Sequence, residues 1–544
     1  MLRSSAMAGA IVLAGTGGAM AQTATENLEI TANSLQRNML FRSAVQDDEA
    51  CSVTVIDGAP FIDGDLGRSA AASCPDAFAW MQFGEAISGE FWNWAIDQTV
   101  WQGTPLPLCT ATLTTNCCDP NAEIDPSSTP STQCPVFRAD YDPVPNLPAQ
   151  TNGTPSGIVL NHRGLLPDQQ GDPGRLLRDT ELELVFRNRP MFEYLYRHDL
   201  YSREGLGARN RAQNTAIKDG LIGHAQRLQV RFPVDAVMVK ADFVHQDVML
   251  GQGLIQEIDA SGNALTPPNN PDFPYLTVSM PGQGTEKDVP GMYYLVAMTN
   301  ASKDIPIWHW YAMEHVANLG RCDFIGCNDS FGYTVDGAAQ IGANFGSSYI
   351  PPQMQLNDTK QGANDPLFVT GGTYLPDVTG EQITDRLTTM LDAMGIGTDA
   401  TDQNPDVITA GDPAWRNYRL KGTQTTFTAA TGVPTGLGAT VTEGGFVNSA
   451  SCTTCHSQAS FDKYGAAGMQ GVGATWRPNL QGYGQVAMGA PDGDWFYNFS
   501  TPTVNATQID FIWGVLNASC QADGADGNCA SYPDAPTIVP GLID

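Results

Sequence analysis

The distribution of twelve cysteines constrains this chain of 544 residues more than any other feature of its sequence. Two of them stand three positions apart, at Cys452 and Cys455, and the other ten form an even set. In an oxidising compartment an even set of cysteines favours a disulfide framework. Close spacing suggests three pairs and leaves the connectivity of four further cysteines open: Cys51 with Cys74, Cys322 with Cys327, Cys520 with Cys529, and the group Cys109, Cys117, Cys118 and Cys134.

The first 21 residues have the pattern of a secretory signal peptide. Arg3 supplies a positive start, residues 6–18 are small and apolar, and Ala19-Met20-Ala21 is a cleavage site before Gln22. The alternative, a buried or membrane-anchoring helix, is disfavoured because the apolar run is too short to span a bilayer. No later stretch approaches about 18 consecutive apolar residues, so we expect no integral membrane span. The leader predicts a periplasmic or secreted protein.

The charge balance excludes one large class of partners. The chain carries 28 basic and 58 acidic residues, a net charge of −30, and such a surface repels a polyanion. We therefore expect no nucleic-acid binding. The segment from residue 433 onward is itself strongly acidic, with Lys463 and Arg477 as its basic residues. A protein partner that docks there should present a basic face, and its association should slow as salt rises.

Hydrophobic periodicity predicts an α+β protein. Residues 22–225 are expected to form a helix- and loop-rich region with disulfides, including helices over 75–101 and 190–202. Residues 226–432 alternate with period two and predict an antiparallel β-rich domain, with strands over 237–243, 275–280, 292–298, 307–316 and 415–427 and an amphipathic helix over 379–394. Residues 433–544 are expected to form a small, mainly α-helical domain that ends in a helix over 508–519.

The segment Cys452-Thr453-Thr454-Cys455-His456 is a C-x-x-C-H motif. Two thiols one helical turn apart can add to the two vinyl groups of a haem, and the adjacent His456 then lies beneath the iron as its ligand. A thioredoxin-like redox pair and half of a zinc site are the alternatives. The first would follow a strand in a βαβ unit, and the second needs two further ligands nearby. The motif occurs once, so it predicts one covalently attached haem c.

The sixth ligand of that iron stays open at the level of sequence. Met488, in a loop-like stretch 32 residues after His456, is the first candidate; Met469, a histidine from the main body, or no protein ligand are the alternatives. Each methionine could instead fill a gap in a core. Arg477 is the first candidate to pair with a haem propionate, because its planar fork matches a carboxylate, and Lys463 is the second.

Two more histidines share one face of a predicted strand. His309 and His315 are six residues apart, which places them roughly 20 Å from each other in an extended strand. They are too far apart to share one metal ion. Packed or surface histidines are therefore favoured over a metal pair or a distal haem wall.

Several segments together resemble large exported bacterial proteins of the cytochrome c family. They are FAWMQFGEA, FPVDAVMVKADF, KDIPIWHWYAMEHV, NSASCTTCH and DFIWGVL, and they span most of the mature chain. The resemblance implies a cytochrome c-like C-terminal domain with a single haem, and it carries over function only to Cys452, Cys455 and His456. We expect an exported mono-haem c-type cytochrome that transfers single electrons. A peroxidase- or oxygenase-like haem oxidoreductase, with a substrate pocket formed upstream, and a binding module with a haem sensor are the alternatives.

Overall fold

The architecture is taken from a computed structural model. It describes residues 51–63, 69–101, 103–121, 133–137, 177, 180–221, 230–280, 290–321, 327, 329–335, 353–356, 366–369, 381–402, 404–428, 435–444, 450–468, 489–491 and 493–532. The predicted signal peptide therefore lies outside the described residues. Helices and antiparallel sheets occur together, as an α+β class requires.

A seven-stranded antiparallel sheet forms the centre of the described structure. Six strands follow one another in the order β15-β10-β9-β5-β4-β3, and β8 adds to β9. The period-two pattern is confirmed in this sheet, although two of its strands come from before residue 225. The strands are β3 Ala95–Ile96, β4 Leu182–Arg187, β5 Val237–His245, β8 Thr277–Met280, β9 Gly291–Ser302, β10 His309–His315 and β15 Tyr418–Gln424.

One side of this sheet, called here the helix face, packs against a long helix. The register places Val239, Asn300 and Tyr311 side by side on that face. Helix α2 (Pro75–Ser88) covers it, and Phe83 meets Tyr418 with ring centroids 6.5 Å apart. The helix predicted over 75–101 ends at Ser88, because Gly89 and the turn after it break the pattern; the short elements β3 and α3 (Asp97–Val100) follow.

The opposite side, called here the motif face, is also buried. Its central row across four strands is Met238, Ala301, Trp310 and Gln424. Lys240 and Asp242 lie on the same side, as alternation predicts. This side does not face water, however, because residues 435–444, 450–461 and 509–516 pack over it. A sheet that is covered on both faces explains why every residue of β10 and of β15 is buried.

The remaining helices agree with the sequence prediction to different degrees. Pro190 begins a helix, as predicted, after Asn188 accepts a hydrogen bond from the backbone N–H of Met191 at 3.3 Å. That helix ends at Arg197 instead of residue 202, and the helix that follows it was not predicted. The helices are α1 Ala70–Ser73, α4 Arg189–Arg197, α5 Arg203–Lys218, α6 Gln246–Gly251, α7 Asp385–Ala393 and α8 Cys452–His456.

Short two-stranded ladders surround the main sheet. They pair β1 with β2, β6 with β7, β11 with β14, β12 with β13, β16 with β19 and β17 with β18. Their strands are β1 Ser52–Ile56, β2 Ala59–Asp63, β6 Gln256–Ile258, β7 Ala264–Asn269, β11 Tyr333–Val335, β12 Gln353–Leu356, β13 Pro366–Val369, β14 Glu381–Ile383, β16 Ser460–Phe461, β17 Tyr497–Asn498, β18 Thr503–Val504 and β19 Thr507–Gln508.

The C-terminal segment differs from the sequence expectation. The helix predicted over residues 508–519 is wrong: strand β19 ends at Gln508, and a 3₁₀ turn covers Trp513–Asn517. The positive φ angles of Asp510 (45°) and Phe511 (71°) prevent an α-helix there. In the described part of 433–544, α8 is the single α-helix, so a mainly helical domain is not found among these residues.

Four disulfide bonds join cysteines in the described part of the chain. Two of the pairs suggested by spacing are confirmed, and the open group of four resolves into neighbours along the chain. The bonds are Cys51–Cys74, Cys109–Cys117, Cys118–Cys134 and Cys520–Cys529. Cys327 is also disulfide-bonded, while Cys322 lies outside the described residues. Formed disulfides are typical of an oxidising compartment.

No helix in the described ranges combines the length and the apolar composition that a bilayer requires.

A buried carboxylate beneath α2 gives the fold a pH-dependent stability. Asp329 accepts a hydrogen bond from Trp80 Nε1 at 2.7 Å, and burial together with nearby Asp76 raises the pKa of Asp329 to about 7. In the unfolded chain its pKa is about 4. The folded state therefore binds this proton more tightly, and its contribution to stability is lost as pH rises from about 4 to 7. We expect Asp329→Asn to flatten that part of the pH profile in urea titrations. The exposed Asp406→Asn serves as the control, and an equal flattening in it would contradict the assignment.

Candidate functional site

Helix α8 carries the C-x-x-C-H motif and is held on the motif face by one glutamine. Ser451 caps the helix, and its Oγ accepts the backbone N–H of Thr454 at 3.3 Å. Gln424 of β15 donates from Nε2 to Ser451 Oγ at 2.8 Å and accepts the Thr453 N–H at 3.0 Å. A helix of five residues is unstable alone. The central sheet therefore satisfies the first turn of this helix and sets its position.

His456 has the tautomer that a metal ligand needs. Its Nδ1 lies 2.8 Å from the backbone carbonyl of Phe511, and a carbonyl can only accept, so Nδ1 carries the proton. Nε2 then keeps its lone pair, and no described residue forms a hydrogen bond with it. Burial lowers the pKa of His456 to about 4, so the ring is neutral at pH 7. Histidines that bind metals commonly donate their second N–H to a carbonyl in this way.

The carbonyl that orients His456 belongs to a strained backbone. Asp510 and Phe511 both have positive φ, a conformation that costs about 1–3 kcal/mol in a residue other than glycine. The Asp510 carboxylate holds it in place: it accepts the Phe232 N–H at 2.8 Å and Trp308 Nε1 at 3.3 Å, and it pairs with Lys303. Strain that the surroundings enforce is typical of functional sites.

Aromatic side chains surround the imidazole and the second thiol. The Trp310 ring lies 4.4 Å from the His456 ring, centroid to centroid. Trp513 donates from Nε1 to the carbonyl of Cys455 at 3.2 Å, and Phe427 stacks on Phe511 at 6.3 Å. Trp310 is fully buried, while His456 and Cys455 are partly exposed. The site is therefore an apolar, aromatic surface with an opening at the motif.

The two motif cysteines are free thiols, unlike the bonded cysteines named above. Burial raises the pKa of Cys452 well above its ordinary value and that of Cys455 to about 11, and the nearby Glu443 acts in the same direction. A redox pair of the thioredoxin type needs a lowered thiol pKa. These surroundings therefore disfavour that alternative.

The zinc alternative also lacks support within the described ranges. A shared metal ion needs at least three ligand atoms close together, and the groups of this kind among the described residues do not include the motif. One of them consists of Glu204, Cys520 and Cys529, but those two thiols form a disulfide. Among the described residues, the two thiols and the imidazole of the motif therefore do not form a compact set of ligands for one metal ion.

The other site residues predicted from sequence lie outside the described residues. These are Arg477, Met488 and Met469. The residues on either side of this stretch, Gly468 and Gly489, are described. The N–H of Gly468 donates to the carbonyl of Ser460, four residues after the motif, at 2.8 Å. The carbonyl of Gly489 accepts a hydrogen bond from Thr454 Oγ1, inside the motif, at 2.7 Å. Lys463 is exposed, and its ammonium lies 4.8 Å from the centroid of the Tyr464 ring.

His309 and His315 are packed histidines, which is one of the two possibilities that the sequence favoured. Both are fully buried in β10. His309 Nε2 lies 3.0 Å from the carbonyl of Pro75, and His315 stacks on Tyr275 with 3.5 Å between ring centroids. Burial lowers the pKa of both rings, so they remain neutral.

A cavity of about 450 Å³ opens next to the motif. Residues from the central sheet region line one side, including Phe232, Lys303 and Pro306, and Ser457 and Phe511 line the other. The lining does not include Cys452, Cys455 or His456. The cavity therefore reaches Phe511, the residue whose carbonyl orients His456, but it is not lined by the motif side chains.

Sequence reasoning identified the motif but missed the groups that position it. Gln424 and Trp310 lie in strands that were predicted. An alternating pattern does not show, however, that Gln424 will contact Thr453 or that Trp310 will contact His456, because both partners lie far along the chain. The Phe511 carbonyl was missed because residues 508–519 were interpreted as a helix. The two tryptophans of WHW were the one available signal of an aromatic surface.

Comparisons of the chain with models of known families, with curated proteins and with solved structures return no match. Function is therefore inferred from the residues themselves.

The anchoring of Asp510 can be tested by its effect on stability. Asp510→Ala leaves the Lys303 ammonium without its buried partner, and removal of one member of such a pair costs about 3–5 kcal/mol. We expect a loss of this size in the free energy of unfolding, measured in urea. Asp392→Ala, which breaks an exposed pair with Arg416, should cost less than about 1 kcal/mol. Equal losses in the two variants would show that Asp510 is not an anchor.

Proposed function

We propose that this chain is an exported c-type cytochrome that transfers single electrons. Cys452 and Cys455 attach one haem, and His456 is a ligand of its iron. The observation that carries the proposal is the bond from His456 Nδ1 to the Phe511 carbonyl, because it leaves Nε2 ready to bind iron. His456 lies in the same helix, α8, as the two free thiols.

The chemistry of the two thiols supports the attachment. In a protein whose other described cysteines are bonded to one another, a free pair needs a different covalent partner or a reason to remain reduced. Haem vinyl groups are such a partner, and the spacing of the pair in α8 suits them. The thiols and the imidazole would meet the haem at three separate places, which agrees with their failure to form one compact metal cluster.

The chain's own residues define what the bound haem could do. Haem supplies a one-electron couple whose potential depends on its ligands, on burial and on nearby hydrogen bonds. Phe511 fixes the orientation of the imidazole and raises its basicity. Trp310, Trp513 and Phe427 exclude water from that side of the site. Such a shell favours electron transfer over the binding of small polar substrates.

The remaining predictions about the site become part of this proposal. Met488 is the first candidate for the sixth ligand and Arg477 for a propionate partner. Gly489, the residue after Met488, accepts a hydrogen bond from Thr454 of α8, which supports the first of these. The formed disulfides support a periplasmic or secreted location. The acidic composition after residue 433 supports a redox partner with a basic face. The proposal concerns the attachment site and does not require a cytochrome c-like fold for residues 433–544.

A haem-dependent oxidoreductase is the second candidate, and the cavity favours it. Residues from far upstream, such as Phe232 and Lys303, form part of its wall, and Phe511 forms another part. A substrate held there would lie close to the proposed haem ligand. The electron carrier remains the first proposal because neither His456 nor the two thiols line this cavity.

Covalent haem attachment can be tested directly. We expect the protein, produced in the periplasm of a host with haem c maturation, to give the pyridine haemochrome spectrum of haem c. The double variant Cys452→Ser/Cys455→Ser should lose all covalent haem, because no thioether can form. Thr453→Ser, in the same helix, is the matched control and should retain it. Wild-type protein without haem c would refute the central claim.

The ligand set separates the electron carrier from the enzyme. A carrier with Met488 bound to iron should be low-spin, and Met488→Ala should convert it to a high-spin form that binds cyanide. Optical and electron paramagnetic resonance spectra of the ferric protein report this change, with Met469→Ala as the control. If the wild type is already high-spin and binds cyanide or peroxide, the oxidoreductase is the better proposal.

A further inference from the structure

A cluster of carboxylates lies on the motif face, apart from the proposed haem site. Glu183 of β4 pairs directly with Asp242 of β5, and Glu181 lies two positions before Glu183. One carboxylate oxygen from each of the three lies within 4.8 Å of the others. Like charges placed opposite each other across two strands are destabilising, so this arrangement needs a compensating charge.

Asp242 supplies an independent sign that a ligand belongs there. Its side chain is completely buried, and Oδ2 accepts a hydrogen bond from Thr442 Oγ1 at 2.7 Å. Its other oxygen, Oδ1, is buried and has no hydrogen-bond partner among the described residues. A buried carboxylate oxygen that has no donor loses free energy unless a cation or a proton meets it.

Lys240 provides only part of the compensation. Its ammonium lies 2.6 Å from Glu183 Oε2, on the same side of β5 as Asp242. It interacts electrostatically with four carboxylates, those of Glu181, Glu183, Asp242 and Glu443. The single positive charge of Lys240 is therefore shared among four carboxylates.

We propose that Glu181, Glu183 and Asp242 bind a divalent cation of the calcium class. All the donors are carboxylate oxygens, the ligands that hard cations prefer, and three carboxylates can offer six oxygens to a calcium ion, whose coordination geometry is flexible. Glu183 and Lys240 are partly exposed and give the ion a path to Asp242. Lys240 competes with the cation and moves away from Glu183 when the ion binds. The bound ion joins β4 to β5 beneath the segment that leads to α8.

The test uses the full chain after removal of metals with a chelator. At pH 8, above the pKa of about 7 to which burial raises Asp242, this carboxylate is ionised. Calorimetric titration with CaCl₂, and with MgCl₂ in parallel, measures affinity, and thermal unfolding measures the gain in Tm. We expect saturable calcium binding with a Tm that rises with calcium concentration. Asp242→Asn should weaken binding at least tenfold, and the exposed Asp272→Asn should leave it unchanged.

Two further variants make the result decisive. Glu181→Gln changes a partly exposed ligand, so its loss of calcium affinity can be measured even if Asp242→Asn fails to fold. Lys240→Gln removes the competing ammonium and should tighten calcium binding several-fold, whereas a purely structural role for Lys240 would not. The proposal is overturned if the wild type binds no calcium at millimolar concentration, if Asp242→Asn and Glu181→Gln bind like the wild type, or if Lys240→Gln leaves the affinity unchanged. The proposed haem function is independent of each of these outcomes.

Discussion

The hydrogen bond between His456 Nδ1 and the Phe511 carbonyl connects the chemistry of the motif to the rest of the molecule. A short helix can present two thiols and an imidazole, but it cannot by itself choose the tautomer or the orientation of the ring. The carbonyl makes that choice, and it points at the ring because Asp510 and Phe511 adopt an unfavourable backbone conformation. Asp510 holds this conformation through residues of the central sheet and its loops.

This dependence suggests what a long upstream region contributes to a motif of five residues. Both sides of the central sheet are buried, one beneath α2 and the other beneath the motif segment. Gln424 reaches from the sheet to cap α8, and Trp310 packs against His456. The sheet therefore forms one wall of the site. The same face also carries the buried Asp242 and the partly exposed Lys240.

Much of the fold was predictable because its signals are local. Alternation predicted five of the seven strands of the central sheet, while β3 and β4 were not predicted. Proline positions predicted the starts of α2 and, to within one residue, α4. Helix α5 was not predicted because its sequence, REGLGARNRAQNTAIK, is polar on most sides and contains two glycines. It packs closely nonetheless: a Cβ at Gly207 would lie 2.7 Å from the carbonyl of Lys463. That contact joins positions about 250 residues apart, so no local pattern could reveal it.

The sequence by itself determined the chemistry: the C-x-x-C-H spacing, the even number of the other cysteines, and the acidic composition. These properties depend on residue identity and on short spacings along the chain. Only the tertiary structure decided that the C-terminal segment turns at Phe511 instead of forming a helix, that Gln424 caps the motif, and that Asp242 lies buried beside Glu183. Each of these depends on long-range contacts, whose free energy overrides weak local preferences.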